Sequence, residues 1–155
     1  MFSIITYTAQ ETQKLGQRIG QSIPAGTVLA LDGELGAGKT TFAQGLALGL
    51  GIKERVLSPT FVIFQQYDGR LPFYHIDAYR LEEDDIYGIG LEECFNRRSV
   101  TLVEWAERIR SLLPADTILL CLYQGYDGDK EWRRLEFDVS LEEYPWLKEA
   151  LVCES

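Results

Sequence analysis

Gly33-Glu34-Leu35-Gly36-Ala37-Gly38-Lys39-Thr40-Thr41 is the stretch on which the fold turns. It matches G-x-x-x-x-G-K-[ST] in full, and each position has a physical task. Glycines let the backbone reach positive φ and aim several N–H groups at one point, which makes a cradle for the α- and β-phosphates of a nucleotide. Lys39 has the length to meet the β/γ oxygens, and the Thr40 hydroxyl suits a Mg²⁺ ion. The flanks agree. Thr27-Val28-Leu29-Ala30-Leu31-Asp32 is an apolar run of strand length, while Phe42, Ala43, Leu46, Ala47 and Leu50 recur at helical spacing. A strand, a glycine-rich loop and a helix N-terminus in that order place an anion where orphan N–H groups and the helix dipole favour it.

With 155 residues the chain has the size of one domain, and a single P-loop ATPase domain over 1–155 is expected. Its apolar stretches are of strand length, so no membrane span is expected, and Met1-Phe2-Ser3-Ile4-Ile5 has neither a basic leader nor a long apolar segment. Cys94, Cys121 and Cys153 form no C-x-x-C pair, and His75 is the lone histidine; the reading is reduced cysteines in a cytoplasmic protein with little material for a metal cage. The net charge of −9 opposes unaided grip on nucleic acid, which depends on neutralising phosphates. If the protein serves RNA, a partner supplies the hold.

Thr8-Ala9-Gln10-Glu11 reads as a capping box, followed by Leu15, Ile19 and Ile23 on one helical face and a stop near Pro24-Ala25-Gly26. Phe61–Tyr67 and Leu71–Asp77 read as strands joined at Asp68-Gly69, a hairpin signal. Glu82–Ile86 reads as a short acidic helix, Ser99–Trp105 as a buried strand and Ala106–Leu113 as a helix ending before Pro114. Thr117–Tyr123 and Trp132–Val139 read as strands around Tyr126-Asp127-Gly128-Asp129. Ser140-Leu141-Glu142-Glu143 reads as the cap of a last helix reaching about Leu151, with Pro145 in its first turn. Alternating βα units and hairpins predict an α/β, P-loop NTPase-like three-layer domain with a mixed central sheet.

Hydrolysis needs more than a phosphate loop, namely a metal-holding acid and a group that orients water. Phe73-Tyr74-His75-Ile76 leads into Asp77, and Val100-Thr101-Leu102-Val103 leads into Glu104. Ligands of open α/β sheets lie beyond the C-terminal strand ends, so both acids are candidates to face the phosphates, with Glu104 in the position of a Walker-B acid. Ser58-Pro59-Thr60-Phe61 lies where phosphate-loop proteins often keep a switch that senses the γ-phosphate.

Together these blocks resemble the TsaE family, the bacterial ATPase of threonylcarbamoyladenosine formation in tRNA. The matching residues are the loop through Phe42, Ser58-Pro59-Thr60-Phe61, His75-Ile76-Asp77-Ala78-Tyr79-Arg80-Leu81 and Val103-Glu104-Trp105. They occur in order across roughly 6–105, and the last third matches only in length and strand pattern. The resemblance implies that the nucleotide is ATP, that Thr40 and Glu104 hold Mg²⁺, that Asp77 is needed for hydrolysis and that Thr60 belongs to a switch-like segment. It also implies that Thr8 and Thr12 border the adenine, with an arginine of the late strand, Arg133, opposite. A one-residue slip of that strand would put the adjacent Arg134 there instead. The implied partners are TsaB- and TsaD-like proteins, tRNA being met only through that complex.

A small-molecule kinase is the main alternative. Such kinases close an arginine-bearing lid over the transferred phosphoryl group. Here Arg97-Arg98 and Arg108 with Arg110 are the candidates, and neither lies in a glycine-flanked lid. A GTPase switch would require an Asn-Lys-x-Asp pattern, which Asn96, the only asparagine, followed by Arg97, does not make.

Overall fold

A computed structural model of the chain describes residues 1–34, 36–56, 64–79, 81 and 90–152. The strands are β1 (Phe2–Thr6), β2 (Val28–Gly33), β3 (Phe64–Asp68), β4 (Pro72–Asp77), β5 (Val100–Glu104), β6 (Ile118–Asp127) and β7 (Lys130–Phe137). The α-helices are α1 (Ala9–Ser22), α2 (Lys39–Gly49) and α3 (Pro145–Val152). All seven strands share one sheet in the order β1-β7-β6-β2-β5-β4-β3. The middle strands β6, β2, β5 and β4 run parallel, and antiparallel pairs close both flanks. This is the mixed α/β sheet expected of a P-loop NTPase-like fold.

The parallel strands read as unbroken apolar runs because both of their faces are covered. Val100, Thr101, Leu102, Val103 and Glu104 are all buried. On one face Leu29, Leu31, Leu120, Leu122, Leu135 and Phe137 pack against Leu15 and Ile19 of α1, Phe42 and Leu46 of α2, and Leu147 of α3. On the other, Val28, Ala30, Ile76 and Val103 meet Leu91, Cys94 and Ile109. Those last three sit in 3₁₀ segments, Leu91–Phe95 and Ala106–Leu112, which form the third layer among the described residues.

Helix α1 starts as its sequence predicts. The Thr8 hydroxyl accepts from the Glu11 N–H at 3.0 Å, while the Glu11 carboxylate reaches back to the Tyr7 N–H. No basic residue lies in its last turn, and the capping cation comes from far along the chain: Arg70 donates to the carbonyls of Gly20 and Ile23 at 2.9 and 3.0 Å.

The α1–α2 contact is a seam of glycines. A Cβ on Gly45 would lie 2.1 Å from the Gln13 carbonyl oxygen, and one on Gly49 2.1 Å from that of Gln17. From the other side, a Cβ on Gly16 or Gly20 would lie 2.7 or 2.3 Å from the carbonyl oxygen of Phe42 or Leu46. Only backbone approaches backbone here, so a methyl group has no flexible neighbour to displace. Gly45→Ala would gain about 1 kcal/mol of helix propensity against an overpacking cost of about 3 kcal/mol. A net loss of about 2 kcal/mol in urea unfolding is expected, and an Ala variant as stable as the parent would show that the helices stand further apart.

Several expectations need correction. β1 was not expected as a strand. The segment after Trp105 is two 3₁₀ turns broken at Ile109 (φ −127°), not an α-helix. β6 and β7 run on to Asp127 and Lys130, which leaves only Gly128 and Asp129 in the turn. Helix α3 begins at Pro145, where its missing N–H costs nothing, while Ser140 accepts from the Glu142 N–H in a separate turn. Glu82–Ile86, 61–63 of the first hairpin strand and Ser58-Pro59-Thr60-Phe61 lie outside the described residues.

Candidate active site

Strand β2 ends at Gly33, and the loop turns through Gly36 (φ 85°) and Gly38 (φ 103°), both in the left-handed region. Ala37 is buried within the loop, and its N–H donates to the Glu34 carbonyl at 3.0 Å. Leu35 is outside the described residues. Helix α2 opens at Lys39 after Gly38, with no side chain capping it, so its first N–H groups are left for an external acceptor.

Gly36, Gly38, Lys39, Thr40 and Thr41 form one wall of a cavity of about 680 Å³. The facing wall holds Asp77, Tyr79, Glu104 and Trp105, with Arg133 at the side. Strand register explains the acids. β4 and β5 are parallel neighbours with Asp77 opposite Glu104, and β2 lies on the other side of β5 with Leu31 opposite Glu104. Both carboxylates therefore leave the sheet at the end where the loop leaves β2. One oxygen of Asp77 accepts from the Tyr79 N–H at 3.0 Å. Glu104 is buried, and its Oε2 lies 2.8 Å from Nε2 of the fully buried His75. Sequence reasoning missed His75 at the site. The signal was its place two residues before Asp77, on the same face of one strand.

Register also separates the two late arginines. Arg133 pairs with Thr6 on β1 and shares the face of Leu135 and Phe137. Its Cδ and Nε lie 3.1 and 3.2 Å from where a Gly38 Cβ would be, so a side chain there would press on Arg133 besides straining a φ of 103°. Arg133 Nε is buried with no hydrogen-bond partner. Arg134 points to the opposite face, where it pairs with Glu136 at 3.0 Å and covers Tyr123.

Thr8 and Thr12 do not line the cavity. Thr8 caps α1, and the fully buried Thr12 shares a 2.7 Å hydrogen bond with Thr6. Thr6 is the residue paired with Arg133, so this N-terminal segment reaches the site's edge through β1.

Lys39 rests its ammonium over the Trp105 ring, 4.8 Å from the centroid, and Tyr79 packs on the same indole at 4.9 Å. Trp105 itself has φ 57°, the one non-glycine residue at positive φ among those described. A bulky residue held there is a strained position next to Glu104, of the kind that accumulates at functional sites.

The donors fit a Mg²⁺–nucleotide. An uncapped helix start, a glycine turn, two cations and an orphaned Arg133 Nε–H together suit a polyphosphate. The Thr40 hydroxyl and the Asp77 and Glu104 carboxylates are hard oxygen donors. Among the described residues no group of three His, Cys, Asp or Glu side chains makes a metal cage. Mg²⁺ ordinarily uses one or two carboxylates together with substrate phosphates and water.

Among the described residues no cysteine lines the cavity. Cys94 is 1% exposed, and burial pushes its thiol up to about 12, with Glu93 and Glu92 adding to the rise. It stays protonated at pH 8, where iodoacetamide should leave it unlabelled in the native protein and label it after denaturation. Native labelling at Cys94, read by peptide mass spectrometry, would show that this layer opens readily. No helix among the described residues is long and apolar enough to cross a membrane.

Comparison with known proteins gives one answer. The model of the family described as threonylcarbamoyl adenosine biosynthesis protein TsaE matches residues 6–133. A tRNA threonylcarbamoyladenosine biosynthesis protein TsaE of Treponema pallidum is 44% identical over 128 residues, covering 82% of this chain and 95% of that protein. The Bacillus subtilis protein of the same name is 43% identical, over 81% of this chain and 80% of its own. The crystal structure of YdiB from Bacillus subtilis superposes with a TM-score of 0.77 at 36% identity, covering 97% of this chain and 93% of that one. The match begins at Thr6, at the end of β1, and runs to Arg133 beside the phosphate loop, so it contains every described residue that lines the cavity. The chain belongs to the TsaE family of threonylcarbamoyladenosine biosynthesis proteins.

Proposed function

We propose that the chain is a cytoplasmic Mg-ATP hydrolase, a single P-loop domain over 1–155, which supports TsaB- and TsaD-like proteins in making threonylcarbamoyladenosine in tRNAs that read codons beginning with A. One observation carries the reading: a phosphate-loop wall bearing Lys39 and Thr40 faces a carboxylate wall bearing Asp77 and Glu104 across a single cavity.

In this reading the loop N–H groups and Lys39 hold the β- and γ-phosphates, and Arg133 offers its unpartnered Nε–H to the nucleotide at the side of the cavity. Thr40 and Glu104 hold Mg²⁺, which when bound draws off charge developing on the phosphoryl oxygens. Asp77, with one oxygen engaged by the Tyr79 N–H, keeps the other for the attacking water. Thr60 belongs to the segment that senses the γ-phosphate, and the N-terminal segment of Thr8 and Thr12 reaches the base's side of the cavity through Thr6 of β1. The acidic surface leaves RNA to the partners, since a chain of charge −9 gains little from phosphate contacts.

Depleting the protein from its host should lower threonylcarbamoyladenosine in bulk tRNA, measured by nucleoside mass spectrometry. The tagged chain should capture TsaB- and TsaD-like proteins in a nucleotide-dependent manner. An unchanged nucleoside level in a host with no second copy would overturn the reading, and a phosphorylated metabolite formed from ATP would replace it with a kinase.

A further inference from the structure

His75 lies behind the cavity wall that Glu104 helps to form, and its imidazole is shut off from solvent. His75 is fully buried on β4, and Glu104 is 4% exposed at the end of β5. Their contact, Nε2 to Oε2 at 2.8 Å, is well within hydrogen-bond range. The other ring nitrogen, Nδ1, is buried and has no partner. That asymmetry assigns the proton. A proton on Nδ1 would be an orphaned buried donor, whether the ring carried one proton or two, and such donors are rare and costly. With the proton on Nε2, the ring donates to Glu104 and leaves only a lone pair unmet. The carboxylate is then the acceptor.

The ring is also clamped. Phe73 stacks on it with centroids 6.1 Å apart and planes at 21°, and Tyr67 stacks on Phe73 at 6.1 Å and 29°. This column runs through the hairpin of β3 and β4 and gives the imidazole a rigid support. A hydrogen bond from a fixed donor in a dry setting sets the rotation of the carboxylate it meets. Oε2 is engaged by His75, and Oε1 is the oxygen not committed to it.

We propose that His75 is a positioning residue: its Nε2–H holds the Glu104 carboxylate so that Oε1 is presented to the Mg²⁺ of a bound nucleotide. The proposal rests on the functional reading above and adds a residue that the phosphate-loop pattern does not contain. Outer hydrogen bonds of this type fix ligating carboxylates, and losing one commonly lowers metal affinity by 10–100-fold. A purely structural histidine, present only to satisfy a buried acid, would change thermal stability and leave metal affinity alone.

The two roles separate in a binding experiment on the full chain that needs no turnover. His75→Gln places an amide N–H near the position of Nε2, whereas His75→Asn is too short to reach Glu104 and His75→Leu has no donor. Mn²⁺ titrated into each protein with a saturating non-hydrolysable ATP analogue reports metal affinity by electron paramagnetic resonance. Calorimetry of the same analogue in EDTA reports the metal-free site. His75→Asn and His75→Leu should lose about 10–100-fold in Mn²⁺ affinity, with EDTA binding changed by less than about threefold and His75→Gln within about threefold of the parent. Should His75→Leu fail to fold, the Gln–Asn pair decides. Equal affinity in those two variants, or parental affinity in His75→Asn, would overturn the role. If the parent itself shows no metal-dependent nucleotide binding, the functional reading falls, and the role of His75 with it.

Discussion

Glu104→Gln should cut ATP hydrolysis at least about a hundredfold, the scale seen when a charge-stabilising group is removed from a preorganised site, while leaving the fold in place. The amide matches the carboxylate in size, and its carbonyl oxygen can still accept from His75 Nε2, so the buried contact at 2.8 Å survives without its charge. What disappears is the anionic ligand for the metal. Turnover must be measured with TsaB- and TsaD-like partners present, beside a thermal melt of the same sample. Asp77→Asn should also slow turnover, with a smaller change in Mg²⁺ dependence, as its proposed role of orienting water requires. Hydrolysis by Glu104→Gln within about threefold of the parent would remove Glu104 from the site.

A second large effect is expected at Lys39. Its ammonium rests on Trp105, a contact worth about 0.5–1 kcal/mol at a partly exposed site. Under the proposed function it exchanges that ring for phosphate oxygens, where a charge-assisted bond is worth about 1.5–3 kcal/mol. The difference is about 1–2 kcal/mol, so Lys39→Ala should weaken ATP binding by about 5–30-fold. Titration calorimetry measures this directly, and an unchanged dissociation constant would refute the phosphate-loop assignment.

Contiguity decided what could be read before the fold was known. The phosphate loop is local: its residues are neighbours in sequence, and its strand and helix flank it. Glu104 and Asp77 were legible because each ends a short apolar run, and the end of a parallel strand is a predictable place. β1 was not legible. Phe2–Thr6 is five residues long, and it is ordered by pairing with β7 near the opposite end of the chain. His75 reads only as the lone histidine and as the first residue of a family-matching block, since its partner lies 29 positions away on another strand. The segment after Trp105 has helix-forming composition, but the left-handed turn at Trp105 and the break at Ile109 keep it in 3₁₀ turns. The choice between Arg133 and Arg134 needed strand register, which a single sequence does not supply.

The glycine seam between α1 and α2 bears on how a partner can act on this protein. Helix α2 carries the phosphate loop at its start, and backbone-to-backbone contact denies it any sliding play against α1. Arg70 then fastens the end of α1 to the hairpin that leads into β4 and Asp77. The two walls of the cavity are thereby cross-braced through the body of the molecule. Under the proposed function, a docking protein would then act not by levering α2 but at the rim, where Tyr79 is exposed and Trp105 sits strained against Lys39. In that reading the rigid side would be set for nucleotide capture, and control of turnover would fall to the other side.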